Sequence, residues 1–400
     1  MSQSINKLYN DALEILRNLT TSKGILASTI ESDNYKRIWA RDSIICGISG
    51  LLAKDKIIIE GLKQSIITLA KHQHTLGIIP SNVLERDGQV EISYGSLVGR
   101  VDTNTWFIIG ICLYYLNTND EETWQSLKSS VIKSRAYLKT IEFNDKGWVY
   151  TPLSGNWADE YPIHGYTLYD NMLRLWGESL WLKIQKKSDS EFDELKTKTL
   201  LNFWPQETLD YKNVYQKQPF INVLNTSPLH FCSSILPGKY DTRFDAAGNA
   251  IALLNFKLTS TQKESIKEYL SYLKVTFSKM LIPAFWPVIK ENDKEWDDLK
   301  DNYSFAFKNT PFNFHNGGIW PVWMGLFCLG LSNNDLIEEA EMIVKDFISV
   351  IESQNWNFNE YISGDKLKLK GKEQMGFSAS GIVFMKHALN FKNCNQIFGL

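Results

Sequence analysis

GIWPVWMGLFCLGLSNNDLIEEAEMIVKDFISVIES, residues 318–353, sets two helical patterns of opposite character end to end. After Trp320-Pro321 the chain is almost wholly apolar to Leu331, the pattern of a helix buried on every side. Pro321 suits the first turn of that helix, where a missing N–H costs nothing. The turn Asn333-Asn334-Asp335 then offers capping residues. From Leu336 to Val350 apolar residues recur at three- and four-residue spacing, so the second helix buries one stripe only. A buried helix, a tight turn and an amphipathic helix make one helical hairpin.

The same periodicity predicts helices near 3–19, 42–53, 57–73, 102–116, 121–138, 168–186, 189–203, 245–256, 260–279, 318–331, 334–353 and 378–391. Ser260 with Gln262 and Lys263 carries a capping signal for the ninth. Long segments rich in Gly, Pro, Asn and aromatics intervene at 24–41, 74–101, 141–167, 205–244, 280–317 and 354–377. Loops of that length are more often functional than idle. They separate every second helix, so the elaborate connections fall on one side of a closed ring of helical hairpins. The expected class is all-α. No low-complexity linker or charge block breaks the chain, which predicts a single domain over residues 1–400.

Composition narrows the function classes. With 43 basic and 45 acidic side chains there is no electrostatic case for a nucleic-acid or anionic-membrane partner. No run is apolar for long enough to span a bilayer, and the first residues lack a signal-peptide pattern, so the expected location is cytoplasmic. The five cysteines are scattered, with no CxxC pair, and read as reduced core residues. The six histidines are too dispersed for a ligand set, so neither metal nor cofactor is expected. Aromatics make up 13% of the chain, many beside Gly, Asn, Asp and Pro. Rings that stack on sugar C–H faces, next to carboxylates that take hydroxyls, suit a small carbohydrate as partner. Oligomeric state is left open.

Five clusters carry candidate chemistry. Trp39-Ala40-Arg41-Asp42-Ser43 opens the second helix, and its Arg–Asp pair suits a vicinal diol, with simple helix capping as the alternative. Gly99-Arg100-Val101-Asp102 runs into an apolar helix, where Asp102 is either a cap or part of the same cleft. Trp157-Ala158-Asp159-Glu160-Tyr161-Pro162-Ile163-His164 packs two acids among rings. A carboxyl there loses solvation and its pKa is expected to rise, which suits a general acid. Phe314-His315-Asn316-Gly317-Gly318 precedes Trp320, and the glycines allow close backbone approach to a ligand. Glu360-Tyr361 sits among aromatics ahead of a Ser363-Gly364-Asp365 turn.

In their order these clusters resemble the six-hairpin glycosidases, helical-barrel enzymes that include alkaline/neutral invertases, glucoamylases and processing α-glucosidases. The invertase-like elements are Asn34 to Asp42, Gly99 to Val101, Ile163 to Gly165, Arg243-Phe244, Gly248-Asn249, His315 to Gly318 before Trp320-Pro321, and Glu360-Tyr361 before Gly371-Lys372-Glu373. Asp159-Glu160-Tyr161-Pro162 resembles the processing α-glucosidases instead. The resemblance implies an (α/α)6 barrel with Asp159 as catalytic acid and Glu360 as base. The invertases continue after Ile-His-Gly with His-Pro-Leu-Glu, where this chain has Tyr166-Thr167-Leu168-Tyr169. Their double Arg is replaced by Glu160-Tyr161.

The expected reaction is inverting hydrolysis of an α-glucosidic bond in an oligosaccharide, a branch point or sucrose, with Glu160 as the reserve acid. Trp39, Arg41, Asp42, Asp102, Trp157, Glu160, Tyr161, His164, Arg243, His315, Asn316, Trp320 and Tyr361 are expected to bind the sugar. Two other classes stay open: a sugar isomerase or epimerase using His164 and His315, and a non-catalytic carbohydrate-binding protein on the same ring.

Overall fold

The computed structural model describes residues 2–30, 35–86, 88–95, 97–143, 146–391 and 394–399. Its helices in chain order are α1 Ser2–Leu19, α2 Ala40–Ala53, α3 Lys56–Lys71, α4 Asp102–Thr118, α5 Glu121–Thr140, α6 Leu168–Gln185, α7 Ser190–Phe203, α8 Lys217–Leu224, α9 Ala246–Asn255, α10 Ser260–Phe277, α11 Trp296–Lys300, α12 Pro321–Asn333, α13 Ile337–Ile351, α14 Gly376–Ala388 and α15 Cys394–Phe398.

Six of them, α2, α4, α6, α9, α12 and α14, pack in that order into a ring that closes where α14 meets α2. Every residue of α12 is buried, as its apolar run predicts. Around this ring stand α3, α5, α7, α10 and α13, each joined to the inner helix before it by a short turn, and α1, which packs on α14 and completes the sixth pair from the other end of the chain. This is an all-α (α/α)6 barrel. Left-handed residues end the inner helices at three of the tight turns, Lys54 (φ 55°), Asn119 (φ 56°) and Lys186 (φ 53°), and free the chain to reverse.

The long loops all precede inner helices, so they gather at one end, where those helices begin. They are stitched together by one repeated bond. A backbone N–H at or just before the start of each inner helix, which has no partner within the helix, donates to a carbonyl of the neighbouring loop: Ala40 to Ser81 (2.9 Å), Val101 to Gly155 (3.0 Å), Leu168 to Ser233 (2.7 Å), Ala246 to Ala284 (2.9 Å), Ile319 to Ile362 (2.8 Å) and Gly376 to Ala27 (2.9 Å). The sixth bond returns to the first loop. A collar of extended backbone therefore circles the mouth of the barrel and fixes the loops that carry the site.

Short antiparallel pairs thicken the collar. β3 (Ile38–Trp39), β4 (Asn82–Arg86) and β5 (Gln89–Ser93) form one three-stranded sheet; β6 (Tyr166–Thr167), β7 (Ser234–Leu236) and β8 (Lys239–Asp241) form another. Two-residue pairs join β1 (Thr20–Thr21) to β2 (Gly24–Ile25), β9 (Phe244–Asp245) to β10 (Phe285–Trp286), and β11 (Tyr361–Ile362) to β12 (Leu369–Lys370).

The twelve helices read from periodicity are all present, while α8, α11 and α15 are additions too short to show a period. Capping differs in two places. Thr259, not Ser260, caps α10, in a reciprocal box with Gln262. Asn333 and Asn334 do not cap α13; their amides bond the carbonyls of Leu253 and Leu254 and tie α12 to the end of α9. All five cysteines are buried and unpaired. No helix among the described residues is long and apolar enough to cross a membrane.

Candidate active site

Acidic side chains collect where the inner helices begin. Asp42 lies in the first turn of α2, Asp102 is the first residue of α4, Asp170 lies in the first turn of α6, and Asp245 caps α9. Helix N-termini favour negative charge, which offsets part of the cost of burying it. Asp42 is 6% exposed, and burial lifts its carboxyl to about 6 despite the neighbouring Arg41. Asp102 is not the cap, since Val101 takes that place without a side-chain bond. Its Oδ2 instead accepts from Arg41 (2.7 Å) and from the Tyr169 hydroxyl (3.0 Å), which itself accepts from the Trp106 indole (2.7 Å). Asp102 is thus wholly buried, in an ion pair with Arg41.

Glu360 comes from the loop before α14. The β11–β12 hairpin turns the chain back so that Lys372 brackets Glu360: its carbonyl accepts the Glu360 N–H (2.7 Å) and its N–H reaches Oε2 (3.3 Å). Gly371 is required there, because its φ is +76° and a Cβ would run into the Glu360 carboxyl. Oε1 accepts from the Tyr35 hydroxyl at 2.9 Å. Burial raises the Glu360 carboxyl above its ordinary value; Tyr35 and the Lys372 N–H oppose the rise without cancelling it.

Asp159 and Glu160 come from the loop before α6. Arg100, 6% exposed, donates to the carbonyls of Ser154 (2.8 Å) and Asn156 (3.2 Å), and its other nitrogen pairs with Asp159 Oδ2. Burial alone would lift Asp159, but the guanidinium of Arg100, with Arg41 beyond it, holds the carboxyl below its ordinary value. The expected rise therefore falls on the next residue. Burial raises Glu160, whose Oε1 accepts from the Ser304 N–H (3.2 Å) and whose Oε2 has no hydrogen-bond partner among the described residues.

These groups face one another. The Tyr35 hydroxyl lies in the fields of Glu360, Asp42 and Asp159 together, which with burial keep its proton firmly on. Asp42 also feels Asp102 and Glu360. An aromatic wall closes the far side: His315 stacks on Trp320 (5.5 Å, 23°), Trp320 on Tyr361 (5.7 Å, 18°), and Trp157 meets His315 and Trp320 edge-on. Burial pushes the His315 imidazole down to about 3, so it stays neutral. A separate groove of about 730 Å³ opens on the outer layer among α5, α6 and α7, and holds none of these residues.

A family model described as alkaline and neutral invertase matches residues 202–390. The probable alkaline/neutral invertase D of Arabidopsis thaliana is 21% identical over 409 residues, 89% of this chain and 75% of that protein. Neutral/alkaline invertase 1, mitochondrial, of Oryza sativa subsp. japonica is 25% identical over 124 residues, which span 30% of this chain and 19% of that relative's length. Among solved structures, the mannosylglycerate hydrolase of Thermus thermophilus in complex with glucose superposes with a TM-score of 0.66 at 12% identity, covering 95% of this chain and 100% of the other. Glucoamylase from Saccharomycopsis fibuligera gives 0.61 at 12% identity, with 97% and 95% covered. In sequence the chain is similar to the alkaline and neutral invertases, and in fold to the (α/α)6-barrel glycosidases.

Most of the residues singled out from sequence gather at the mouth of the barrel: Trp39, which precedes α2 in β3, then Arg41, Asp42, Asp102, Trp157, Asp159, Glu160, His315, Trp320, Glu360 and Tyr361. Asn34, which opens the first motif, lies outside the described residues. Four others stand one layer back. Tyr161 is 1% exposed and stacks on Phe285 at 4.2 Å. Arg243 reaches the Tyr161 ring (6.0 Å) and Glu295 (3.9 Å) and lies in the field of Asp241. The Asn316 amide is occupied by the backbone of Ile289 and Asn309, so it staples the loop. His164 is half-buried beside Gly165, whose backbone bridges Thr151. Tyr35 and Arg100, which stand inside the Asn34 to Asp42 and Gly99 to Val101 elements, also belong to the site, as do Lys308 and Asn309, which no sequence motif marks.

Proposed function

We propose that the chain is an inverting glycoside hydrolase acting on a single glycosidic bond, of the α-glucosidic class, in an oligosaccharide, a branch point or sucrose. Asp159 protonates the departing oxygen, and Glu360 takes a proton from the water that attacks the opposite face. The observation that carries this reading is the Tyr35 hydroxyl, which donates to Glu360 and lies in the field of Asp159 as well. Inversion needs the two carboxyls about 6.5–9.5 Å apart, to admit the water. Arg41 and Asp42 hold hydroxyls of the sugar, and Trp320 and Tyr361 offer it their faces. The domain of residues 1–400 works as one catalytic unit, in the cytoplasm.

In this scheme Asp159 must carry a proton when substrate is bound, although Arg100 keeps it ionised in the free protein. A sugar oxygen that draws Arg100 away would let the carboxyl recover its proton. The second reading makes Glu160 the acid, favoured by its raised pKa and its unbonded Oε2.

Three variants, D159N, E160Q and E360Q, assayed on paired glycosides with an alcohol or a nitrophenol as leaving group, separate the roles. Loss of the base should cost roughly 10²–10⁴-fold on both substrates. Loss of the acid should cost that much on the alcohol and far less on the nitrophenol, which departs without a proton. If either D159N or E360Q keeps near-normal activity on the alcohol glycoside, the assignment of that residue fails; if E160Q rather than D159N shows the leaving-group pattern, the second reading replaces the first.

A further inference from the structure

Residues 301–310 cross directly in front of the acid pair and are pinned to it at both ends. Asn302 accepts from the Ser154 hydroxyl (2.8 Å) and donates to the Asp159 carbonyl (3.4 Å); Ser304 donates its N–H to Glu160 Oε1; Asn309 donates to the Glu160 carbonyl (2.6 Å) and accepts from the N–H groups of His315 (2.9 Å) and Asn316 (3.2 Å). The strap is therefore fixed relative to the chemistry, while Tyr303, Phe305 and Lys308 on it are exposed.

Lys308 stands apart from the other two. Its ammonium sits 4.9 Å from the centre of the Phe314 ring, which lies 4.0 Å from His315 and 5.8 Å from Tyr361. That places a cation at the rim of the aromatic wall, where its field reaches Glu160, Glu360 and His315. Among the described residues it forms no ion pair. Arg41 and Asp42, assigned above to the sugar's hydroxyls, are largely buried whereas Lys308 is exposed, which assigns the departing half of a substrate to the side of Lys308. We propose that this half carries a small anionic group, a carboxylate or a phosphate, and that Lys308 binds it and sets the preference for charged over neutral aglycones. A compact ammonium on a flexible stem suits a single oxyanion.

This inference rests on the glycosidase reading, and its test keeps the two apart. The unmodified protein is first assayed on p-nitrophenyl α-glycosides, with E360Q as control; no cleavage of any of them overturns the glycosidase reading and this one with it. The sugar that is cleaved is then attached to glycerol, glycerate and glycerol phosphate, and kcat/KM is measured for all three. The ratio of anionic to neutral substrate should be roughly tenfold or more in the unmodified protein. It should fall to about one in K308Q, drop below one in K308E, and recover in part in K308R. Glycerate and glycerol phosphate compared with each other tell which anion is meant. A role of Lys308 confined to tuning the carboxyls would move all three substrates together. A ratio near one in the unmodified protein, or a high ratio that survives in K308Q and K308E, would overturn the proposal.

Discussion

The hydroxyl of Tyr35 donates to Oε1 of Glu360 at 2.9 Å, across 325 residues of chain and across the closure of the barrel between α14 and α2. The bond stabilises the ionised form of the carboxyl that the proposed mechanism uses as base, against a burial that favours the neutral form. Y35F removes it without changing shape. Hydrogen bonds to charged groups contribute about 1.5–3 kcal/mol, so kcat/KM should fall roughly 10–100-fold. The Glu360 pKa rises, so the acid limb of the pH–rate profile should move to higher pH. An unmoved limb would show that Glu360 is not the group titrating there.

Arg100 acts in the same direction on Asp159. R100Q removes the charge that holds this carboxyl ionised, so its pKa should rise. If Asp159 is the acid, the alkaline limb of the profile moves to higher pH in R100Q; if Glu160 is the acid, that limb stays near its place. Arg100 also bonds two carbonyls in the interior. R100Q should therefore lower the unfolding midpoint in urea, and activity must be read where the variant remains folded.

How much of this could be read in the sequence depends on whether the signal is local. The barrel is legible because α12 is apolar on every face and α13 on one, an alternation repeated around the ring. The collar strands were not legible, since most are two residues long and alternation has no room to appear. Asp42, Asp159 and Glu360 stood out as acids set among rings. Tyr35 and Arg100 stand inside sequence motifs, yet their roles, like that of Asn309, come from partners far along the chain, and no motif marks Lys308. The expected rise in the Asp159 pKa failed for the same reason: burial could be guessed from its aromatic neighbours, but Arg100 comes from another loop. The departures from the invertase pattern at Thr167 and Tyr169 also find their reason in three dimensions. Thr167 donates to Asp170 (2.7 Å) and Tyr169 to Asp102, so both serve the buried acids.

The Arg41–Asp102 pair makes a prediction about stability. Asp102 is wholly buried and Arg41 is 16% exposed. Removing one partner of such a pair leaves the other charge without compensation, at about 3–5 kcal/mol. D102A should lose that much in urea unfolding, while D102A with R41M should recover part of it. A double variant that loses the sum of the D102A and R41M losses would mean that the pair is not coupled.

Asp170 and Asp245 are fully buried, and burial raises each carboxyl to about 7. In the unfolded chain both ionise near the ordinary value of about 4. Their folded pKa is the higher, so their contribution is full below about pH 4 and is lost as the pH rises through 7. Asp170 faces the hydroxyls of Thr151 and Thr167, the Asn156 amide and, further off, Asp102 and Asp245. The unfolding free energy should therefore decline between pH 4 and 8, and D170N should flatten that decline. An unchanged slope in D170N would assign the decline to other groups.

Product stereochemistry tests the central claim most directly. Proton NMR during the first moments of hydrolysis of an α-glycoside distinguishes the anomer released before mutarotation mixes the two. Asp159 and Glu360 working on opposite faces with a water between them predict the β-anomer first. The α-anomer appearing first would mean a covalent intermediate on one carboxylate, and would contradict the account.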